Sequence, residues 1–169
     1  MHAPSVLVVG AGFGGIAAAI ELRAHGIRDV TIVDAADGIG GTWLHNTYPG
    51  AACDVPSHLY SYSFAKNPDW SRAYSPAGEI CAHIEQMVDD FDLGHHIRFG
   101  VEVNGLSFDE DTGPWTINTA AQEDLRARTV VLASGPLTDH KFPDIRGLDT
   151  YRGHKIHSAR WDHDYDFTD

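Results

Sequence analysis

A glycine-rich loop near the start of the sequence has the composition and spacing needed to bind phosphate groups. Residues 10–15 read Gly-Ala-Gly-Phe-Gly-Gly and match the pattern G-x-G-x-x-G. Gly10 permits a tight turn, Gly12 lets the backbone approach a pyrophosphate, and Gly15 allows a helix to pack closely on a strand. A helix that begins here presents free N–H groups and a partial positive charge. The loop therefore predicts a site for the pyrophosphate of a dinucleotide.

An acidic residue follows this loop at the distance that ribose recognition requires. Asp34 lies about 20 residues beyond the loop, and its carboxylate can accept hydrogen bonds from a ribose diol. A carboxylate at this position, in place of a nearby arginine, disfavours the 2′-phosphate of NADP at this site. The pattern does not choose between FAD and NAD. A purely structural glycine turn is the alternative, and the acidic residue argues against it.

The residues around the glycine loop predict a β-α-β unit. Ser5 to Gly10 form a continuous apolar run, which is typical of a buried parallel strand. Gly15 to His25 fit a helix that Gly26 ends. Asp29 to Asp34 are rich in β-branched residues and favour a second strand, and crossovers of this kind are almost always right-handed. Asp34 is thus expected at the end of the second strand.

The next 60 or so residues predict a long loop and then a second helix. Gly and Pro interrupt residues 35–74, and a loop this long in a compact domain is usually functional. Ser75 is expected to cap a helix that has Pro76 at its first position and runs to about Leu93. Its buried apolar stripe is predicted to consist of Ile80, Ile84, Val88 and Phe91.

From Ile97 onward the pattern predicts strands. Val101 to Phe108 and Trp115 to Thr119 flank a turn signal, Asp-Thr-Gly-Pro at 111–114. Residues 127–133 are predicted to form one further buried strand. The predicted fold class is therefore α/β and Rossmann-like, with a parallel sheet and a small antiparallel β-meander.

Composition limits the classes of partner. The chain has 169 residues and a formal net charge of −12, which fits one domain and argues against a nucleic acid or an anionic membrane surface as the main partner. Cys53 and Cys81 show no metal or redox spacing and fit a cytoplasmic protein. We expect no signal peptide, because the first apolar run is short and lacks a basic flank, and no membrane span.

Two further motifs resemble those of a known enzyme family. Residues 40–43 read Gly-Gly-Thr-Trp and are followed by Tyr-Pro-Gly at 48–50 and by Asp54, while residues 151–162 contain Tyr-x-Gly-x-x-x-His-x-x-x-Trp-Asp. Together with the glycine loop, they resemble the signatures of Baeyer–Villiger flavin monooxygenases of the cyclohexanone and 4-hydroxyacetophenone type. Trp161 favours this branch over the related N-oxidising enzymes, which usually carry Tyr or Phe at that position.

The resemblance implies an FAD-binding domain and assigns roles along it. Thr42 and Trp43 would contact FAD, and Tyr60 would lie near the flavin. Val103 falls where a strand backbone meets the adenine in this family. The implied cofactor-binding residues are Gly10, Gly12, Phe13, Gly15, Asp34, Gly41, Thr42, Trp43, Asp54, Tyr60 and Val103.

Two implied catalytic residues lie in the two longer motifs. Asp54 would be the active-site carboxylate, which in the family pairs with an arginine of the NADPH-binding domain and would orient it and tune its charge. The alternative is that Asp54 caps the following turn. His157 would couple domain movement to the chemistry, without acting as acid or base. The spacing of His154, His157 and His163 matches no standard zinc pattern, so no metal is expected.

The resemblance also implies a domain organisation and a reaction. Residues 1–149 would form the N-terminal part of an FAD-binding domain that is incomplete at its C-terminus, and 150–169 a linker to an absent NADPH-binding domain. The parent protein would use NADPH to reduce FAD, capture O2 as a C4a-peroxyflavin and convert a ketone into an ester or lactone, whereas this chain alone would be inactive. The alternatives are an N- or S-oxygenating flavin monooxygenase and a non-catalytic FAD-binding module that needs a partner chain.

Overall fold

The computed structural model describes residues 5–111, 113–121, 123–137 and 140–168. The strands are β1 (Val6–Val9), β2 (Val30–Val33), β3 (Ile97–Arg98), β4 (Val103–Phe108), β5 (Trp115–Thr119), β6 (Leu125–Ala127) and β7 (Thr129–Leu132). The helices are α1 (Phe13–Ala24), α2 (Thr42–His45) and α3 (Ala77–Asp90), with a short 3-10 helix at Gly94–His96. Among the described residues, no helix is both long and apolar enough to cross a bilayer.

A four-stranded parallel sheet forms the centre of the fold, in the order β3-β2-β1-β7. β1 pairs with β2 from Val6 opposite Val30, and with β7 from Val6 opposite Thr129. Strand β1 is apolar throughout because both faces of the sheet are covered, and Leu7 and Val8 are fully buried. The α/β, Rossmann-like fold class and the predicted β-α-β unit are confirmed.

Helix α1 begins two residues before the predicted start and ends near the predicted glycine. Gly26 adopts φ 87°, and its N–H donates to the Arg23 carbonyl. The N–H of Ile27 donates to the Leu22 carbonyl, which completes a Schellman motif and satisfies the last carbonyls of the helix. The prediction that Gly26 ends α1 is therefore confirmed.

Helix α3 differs from its prediction at both ends. It begins at Ala77, after Pro76, and the Ser75 side chain makes no capping hydrogen bond. The Ser75 hydroxyl instead donates to Ser57 Oγ at 2.7 Å, because both side chains are buried and need a polar partner. The helix ends at Asp90, before the predicted Leu93, and Phe91 at its end is 37% exposed. The other three residues of the predicted apolar stripe are buried.

The predicted loop at 35–74 is largely irregular but well anchored on α3. Ser57 Oγ donates to the Arg72 carbonyl and accepts the N–H of Ser75 at 2.9 Å, so it joins the two ends of residues 57–75. Trp70 packs edge-on against His83 of α3, with ring centroids 5.2 Å apart. His83 is 93% buried by this segment, and its Nε2 has no hydrogen-bond partner among the described residues.

Strands β4, β5 and β6 form the predicted antiparallel meander, whose turn includes Thr112, a residue outside the described part of the chain. The prediction of one strand over 127–133 is wrong. β6 pairs antiparallel with β5, whereas β7 pairs parallel with β1, so the chain must leave one sheet at Arg128 to join the other. β7 is also the outer strand of the described sheet, which leaves Leu132 64% exposed where a buried residue was expected.

Candidate dinucleotide-binding site

A cavity of about 710 Å³ lies at the carboxyl ends of the parallel strands. Val9 and Val33, the last residues of β1 and β2, line it together with Ala133, the residue that follows β7. This is the edge where open α/β sheets bind ligands, and the volume is in the range of small-molecule sites. The predicted site residues that line the cavity are Gly10, Gly12, Phe13, Asp34, Gly41, Thr42, Trp43, Tyr60 and Val103. Gly15, Asp54 and His157 are not part of its lining.

The glycine loop is shaped by contacts that leave no room for side chains. Gly10 has φ 112°, and a Cβ there would collide with the Ala133 carbonyl. A Cβ on Gly15 would collide with the Gly10 carbonyl and meet Val8 Cγ1 at 3.4 Å. Helix α1 can therefore start close against β1 only if both positions are glycine, as the sequence pattern predicts.

A second glycine pair brings the 40–43 loop against the first loop. Gly40 donates its N–H to the Ala11 carbonyl at 3.2 Å. Gly41 adopts φ 55°, and a Cβ there would lie 3.0 Å from Gly12 Cα. The two glycine loops, which are separated by about 30 residues, thus form one continuous wall of the cavity.

Asp34 has a second task that the sequence pattern did not reveal. Its Oδ2 accepts the N–H of Ala11 at 2.6 Å, and its Oδ1 accepts the N–H of Ala36 at 2.8 Å. The carboxylate therefore fixes the glycine loop to the end of β2. A carboxylate can accept about four hydrogen bonds, so Asp34 keeps acceptor capacity for a ligand in the cavity it lines.

An aromatic cluster closes the cavity beside the glycine loop. Trp43 Nε1 donates to the Tyr60 hydroxyl at 3.0 Å, and Phe13 packs against both Tyr60 and Tyr62, with centroids 5.1 and 4.1 Å apart. Burial raises the pKa of the Tyr60 hydroxyl; the Trp43 hydrogen bond opposes this, and the negative charge of Asp54 adds to it. The hydroxyl thus stays protonated and able to donate to a bound group.

Asp54 is exposed and lies near this cluster without lining the cavity. The preceding residue, Cys53, is buried and donates its N–H to the Ser75 carbonyl at 2.9 Å, which attaches the loop to the start of α3. The Asp54 carboxylate makes no side-chain hydrogen bond with the described residues, so the capping alternative has no support from the geometry. Its charge is close enough to Tyr60 to affect the pKa of that hydroxyl.

His157 lies in a separate cluster, and its neighbour Arg160 reaches the cavity. The His157 ring packs against His140 and Phe142, with centroids 5.2 and 5.4 Å apart. Arg160 donates its N–H to the His157 carbonyl at 2.8 Å, and the residue is part of the cavity lining. Arg160 was missed because it occupies an unspecified position of the 151–162 motif, so the pattern carries no signal for it. Among the described residues, no group of His, Cys, Asp and Glu is arranged to hold a metal.

Comparison with known proteins agrees with this geometry. Residues 8–76 match the family of NAD(P)-binding Rossmann-like domains. The chain is 52% identical over 161 residues to a Baeyer–Villiger monooxygenase of Streptomyces coelicolor, covering 95% of this chain and 31% of that protein. This chain is homologous to Baeyer–Villiger monooxygenases. It spans about a third of the length of the Baeyer–Villiger monooxygenases that it matches.

Solved structures of cyclohexanone monooxygenase and of OTEMO share the fold. Cyclohexanone monooxygenase from Rhodococcus sp. Phi1, bound to NADP+, superposes with a TM-score of 0.84 at 42% identity, covering 97% of this chain and 32% of that one. The complex of OTEMO with FAD and NADP gives a TM-score of 0.84 at 30% identity, with the same coverage. The resemblance to Baeyer–Villiger monooxygenases that the three motifs indicate is therefore confirmed.

Proposed function

We propose that this chain binds FAD in the cavity and forms the FAD site of an NADPH- and O2-dependent monooxygenase that converts ketones to esters or lactones. The observation that carries the proposal is that the two glycine loops, Asp34 and the Trp43–Tyr60 pair line one cavity. Each part of a flavin dinucleotide would have a counterpart among these residues. Asp34 and Val103 would hold the adenosine, Gly10 and Gly12 the pyrophosphate, and Trp43 with Tyr60 the flavin.

The cavity fits FAD better than it fits NADPH. Asp34 would repel the 2′-phosphate of NADPH at the ribose end of the site. The Trp43–Tyr60 wall offers an apolar surface and one hydroxyl at the end where a flavin ring would lie. The structural neighbour with both FAD and NADP supports two separate sites in the whole enzyme. NADPH would then bind a domain to which residues 150–169 lead, with residues 1–149 belonging to the FAD domain.

The residues of this chain would bind, orient and shield the cofactor. A bound flavin reduced by NADPH supplies the chemistry that activates O2. Free N–H groups at the start of α1 would hold the pyrophosphate, and the Phe13–Tyr60 contact would keep water from one face of the cavity. Asp54 would orient a cationic side chain from outside this chain, beside the flavin. His157 would fix the linker by its contacts with His140 and Phe142.

Titration of the purified chain with FAD tests the cofactor assignment. We expect stoichiometric binding that changes flavin absorbance and fluorescence, competition by ADP-ribose, and weak competition by NADPH. A cooperatively folded chain that binds NADPH more tightly than FAD would contradict the assignment. A folded chain that binds neither dinucleotide would contradict the proposed site itself.

Turnover by the complete protein tests the reaction. With NADPH and O2 we expect ester or lactone from a panel of cyclic and aryl ketones. Oxidation of amines or thioethers with no ketone turnover would support the N- or S-oxygenating alternative instead. Asp54→Ala should lower oxygenation much more than FAD content, because Asp54 makes no hydrogen bond that the described fold depends on. Equal loss of both would assign Asp54 a structural role.

The remaining assignments concern partners and location. The proposed partners are O2 and a small ketone, with NADPH as reductant. Both cysteines are unpaired in the described structure, which is compatible with the reducing conditions of the cytoplasm, where we propose the protein acts. Fractionation of cells that express the complete protein would test this, and recovery in another compartment would contradict it.

A further inference from the structure

Arg160 is the one lysine or arginine, among the described residues, that lines the cavity, whose acidic lining residues are Asp34 and Glu102. The whole chain carries a net charge of −12, so a positive charge at the cavity differs from the charge of the protein as a whole. A dinucleotide is anionic at its pyrophosphate, and the positive charge of Arg160 would reduce its repulsion by the acidic protein.

Hydrogen bonds to His157 fix the backbone of the turn that carries Arg160. The Arg160 N–H donates to the His157 carbonyl at 2.8 Å, and the Ala159 N–H donates to His157 Nδ1 at 3.1 Å. Ala159 between them is buried, which anchors the turn to the protein. The turn therefore presents Arg160 from a fixed base instead of from a free tail.

A second contact locates this turn relative to the cavity. His163 Nε2 and Thr47 Oγ1 are 2.8 Å apart, which joins the segment after Arg160 to the loop after α2. His45, the last residue of α2, also lines the cavity. This contact attaches the segment after Arg160 to the loop that follows Trp43 and His45, two residues of the cavity lining.

Most N–H donors of the Arg160 guanidinium make no hydrogen bond with the described residues. Its Nη1 donates to the Ala159 carbonyl at 2.6 Å, which uses part of the five-donor fork. The described residues give it no carboxylate partner, in contrast to Arg98, which pairs with Glu123 at 3.1 Å. Arg160 is exposed at the cavity lining and has no carboxylate partner among the described residues, so its guanidinium is suited to bind an anionic group of a ligand.

We propose that Arg160 binds an anionic group of the dinucleotide in this cavity. The proposal rests on the proposed FAD site. Two parts of the cofactor offer this chemistry, the pyrophosphate and the flavin ring when reduced to its anion. In either case Arg160 is a binding residue that ties the 151–162 motif to the cofactor directly, whereas the resemblance assigned that motif a linking role only.

The test compares charge-neutralising variants of the purified 169-residue chain. Arg160→Gln removes the cation at the cavity, and Arg160→Lys retains a charge without the fork. Arg152→Gln is the matched control, because Arg152 lies in the same segment, is exposed, does not line the cavity, and changes the net charge equally. Dissociation constants for FAD and for ADP-ribose, which carries the pyrophosphate without a flavin, are measured with each variant, together with the reduction potential of bound FAD.

The outcomes distinguish a contact with the pyrophosphate from a contact with the reduced flavin. They also distinguish failure of the Arg160 proposal from failure of the proposed FAD site. A pyrophosphate contact predicts that Arg160→Gln weakens FAD and ADP-ribose alike, by about tenfold, with partial recovery in Arg160→Lys. A flavin contact predicts unchanged ADP-ribose affinity and a reduction potential lowered by about 30 mV, the equivalent of tenfold weaker binding of the reduced form. Arg160→Gln that behaves like Arg152→Gln in all three measurements overturns the proposal. Failure of the wild-type chain to bind FAD would instead refute the proposed function.

Discussion

The carboxylate of Asp34 is predicted to stabilise the glycine loop before any ligand binds. Its two oxygens accept the N–H groups of Ala11 and Ala36 at 2.6 and 2.8 Å. Asp34→Asn keeps the shape of the side chain but replaces one acceptor with an NH2 group, which faces a backbone donor. A hydrogen bond to a charged group contributes about 1.5–3 kcal/mol, and Asp34 is half-buried, so we expect the free energy of unfolding to fall by about 2 kcal/mol.

Urea unfolding and thermal melting of Asp34→Asn and of a control variant, each compared with the wild-type chain, measure this loss of stability. A change of about 2 kcal/mol corresponds to a melting temperature roughly 4–8 °C lower for a chain of this size. The control is Asp37→Asn, which removes the same charge from the same loop where the carboxylate is exposed and has no partner among the described residues. The control should change stability by less than about 0.5 kcal/mol. Equal effects of Asp34→Asn and Asp37→Asn would refute the assigned role of Asp34.

Three further perturbations test other parts of the structure. Gly15→Ala should lower the free energy of unfolding by about 1–3 kcal/mol through overpacking, whereas Gly78→Ala, where a Cβ meets nothing within 4 Å, should leave it unchanged or slightly raised in the same urea experiment. Ser57→Ala should cost about 2–4 kcal/mol, since it leaves buried polar groups of Ser75 without their partner; a loss under 1 kcal/mol in urea would be inconsistent with this. Burial lowers the pKa of His83, and the charge of Asp90 opposes this shift, so the folded chain favours the neutral imidazole ring. The free energy of unfolding should therefore decrease as the pH falls below about 6.5, the pKa of histidine in the unfolded chain. His83→Phe should therefore flatten the fall in unfolding free energy between about pH 7 and 5, and an unchanged slope would argue against this cause.

The central β-α-β unit could be predicted because its signals are local. The signals are an apolar run, three glycines at fixed spacing and an acidic residue, and each predicts one structural feature. A Cβ at Gly10 or Gly15 would collide with the backbone, which explains why no other residue type fits at these positions. The end of α1 could likewise be predicted from Gly26, whose left-handed conformation depends on its immediate neighbours.

The wrong predictions concern interactions between distant segments. Serine is a residue type that often caps helices, which is why Ser75 was predicted to do so. Its hydroxyl instead donates a hydrogen bond to the buried Ser57, 18 residues earlier in the chain. The break at Arg128 depends on which of two sheets each neighbouring segment joins, and both segments have similar strand-forming composition. Arg160 entered the cavity without a sequence signal, because a turn that His157 organises carries it there. None of these contacts is encoded by local spacing.

The structure of this chain bound to FAD tests the central claim most directly. We predict electron density for the pyrophosphate at the start of α1 beside Gly12, the adenosine ribose within hydrogen-bond distance of Asp34, and the flavin ring against Trp43 and Tyr60. An FAD molecule bound anywhere else on a correctly folded chain, or bound in the reverse direction along the cavity, would contradict the account.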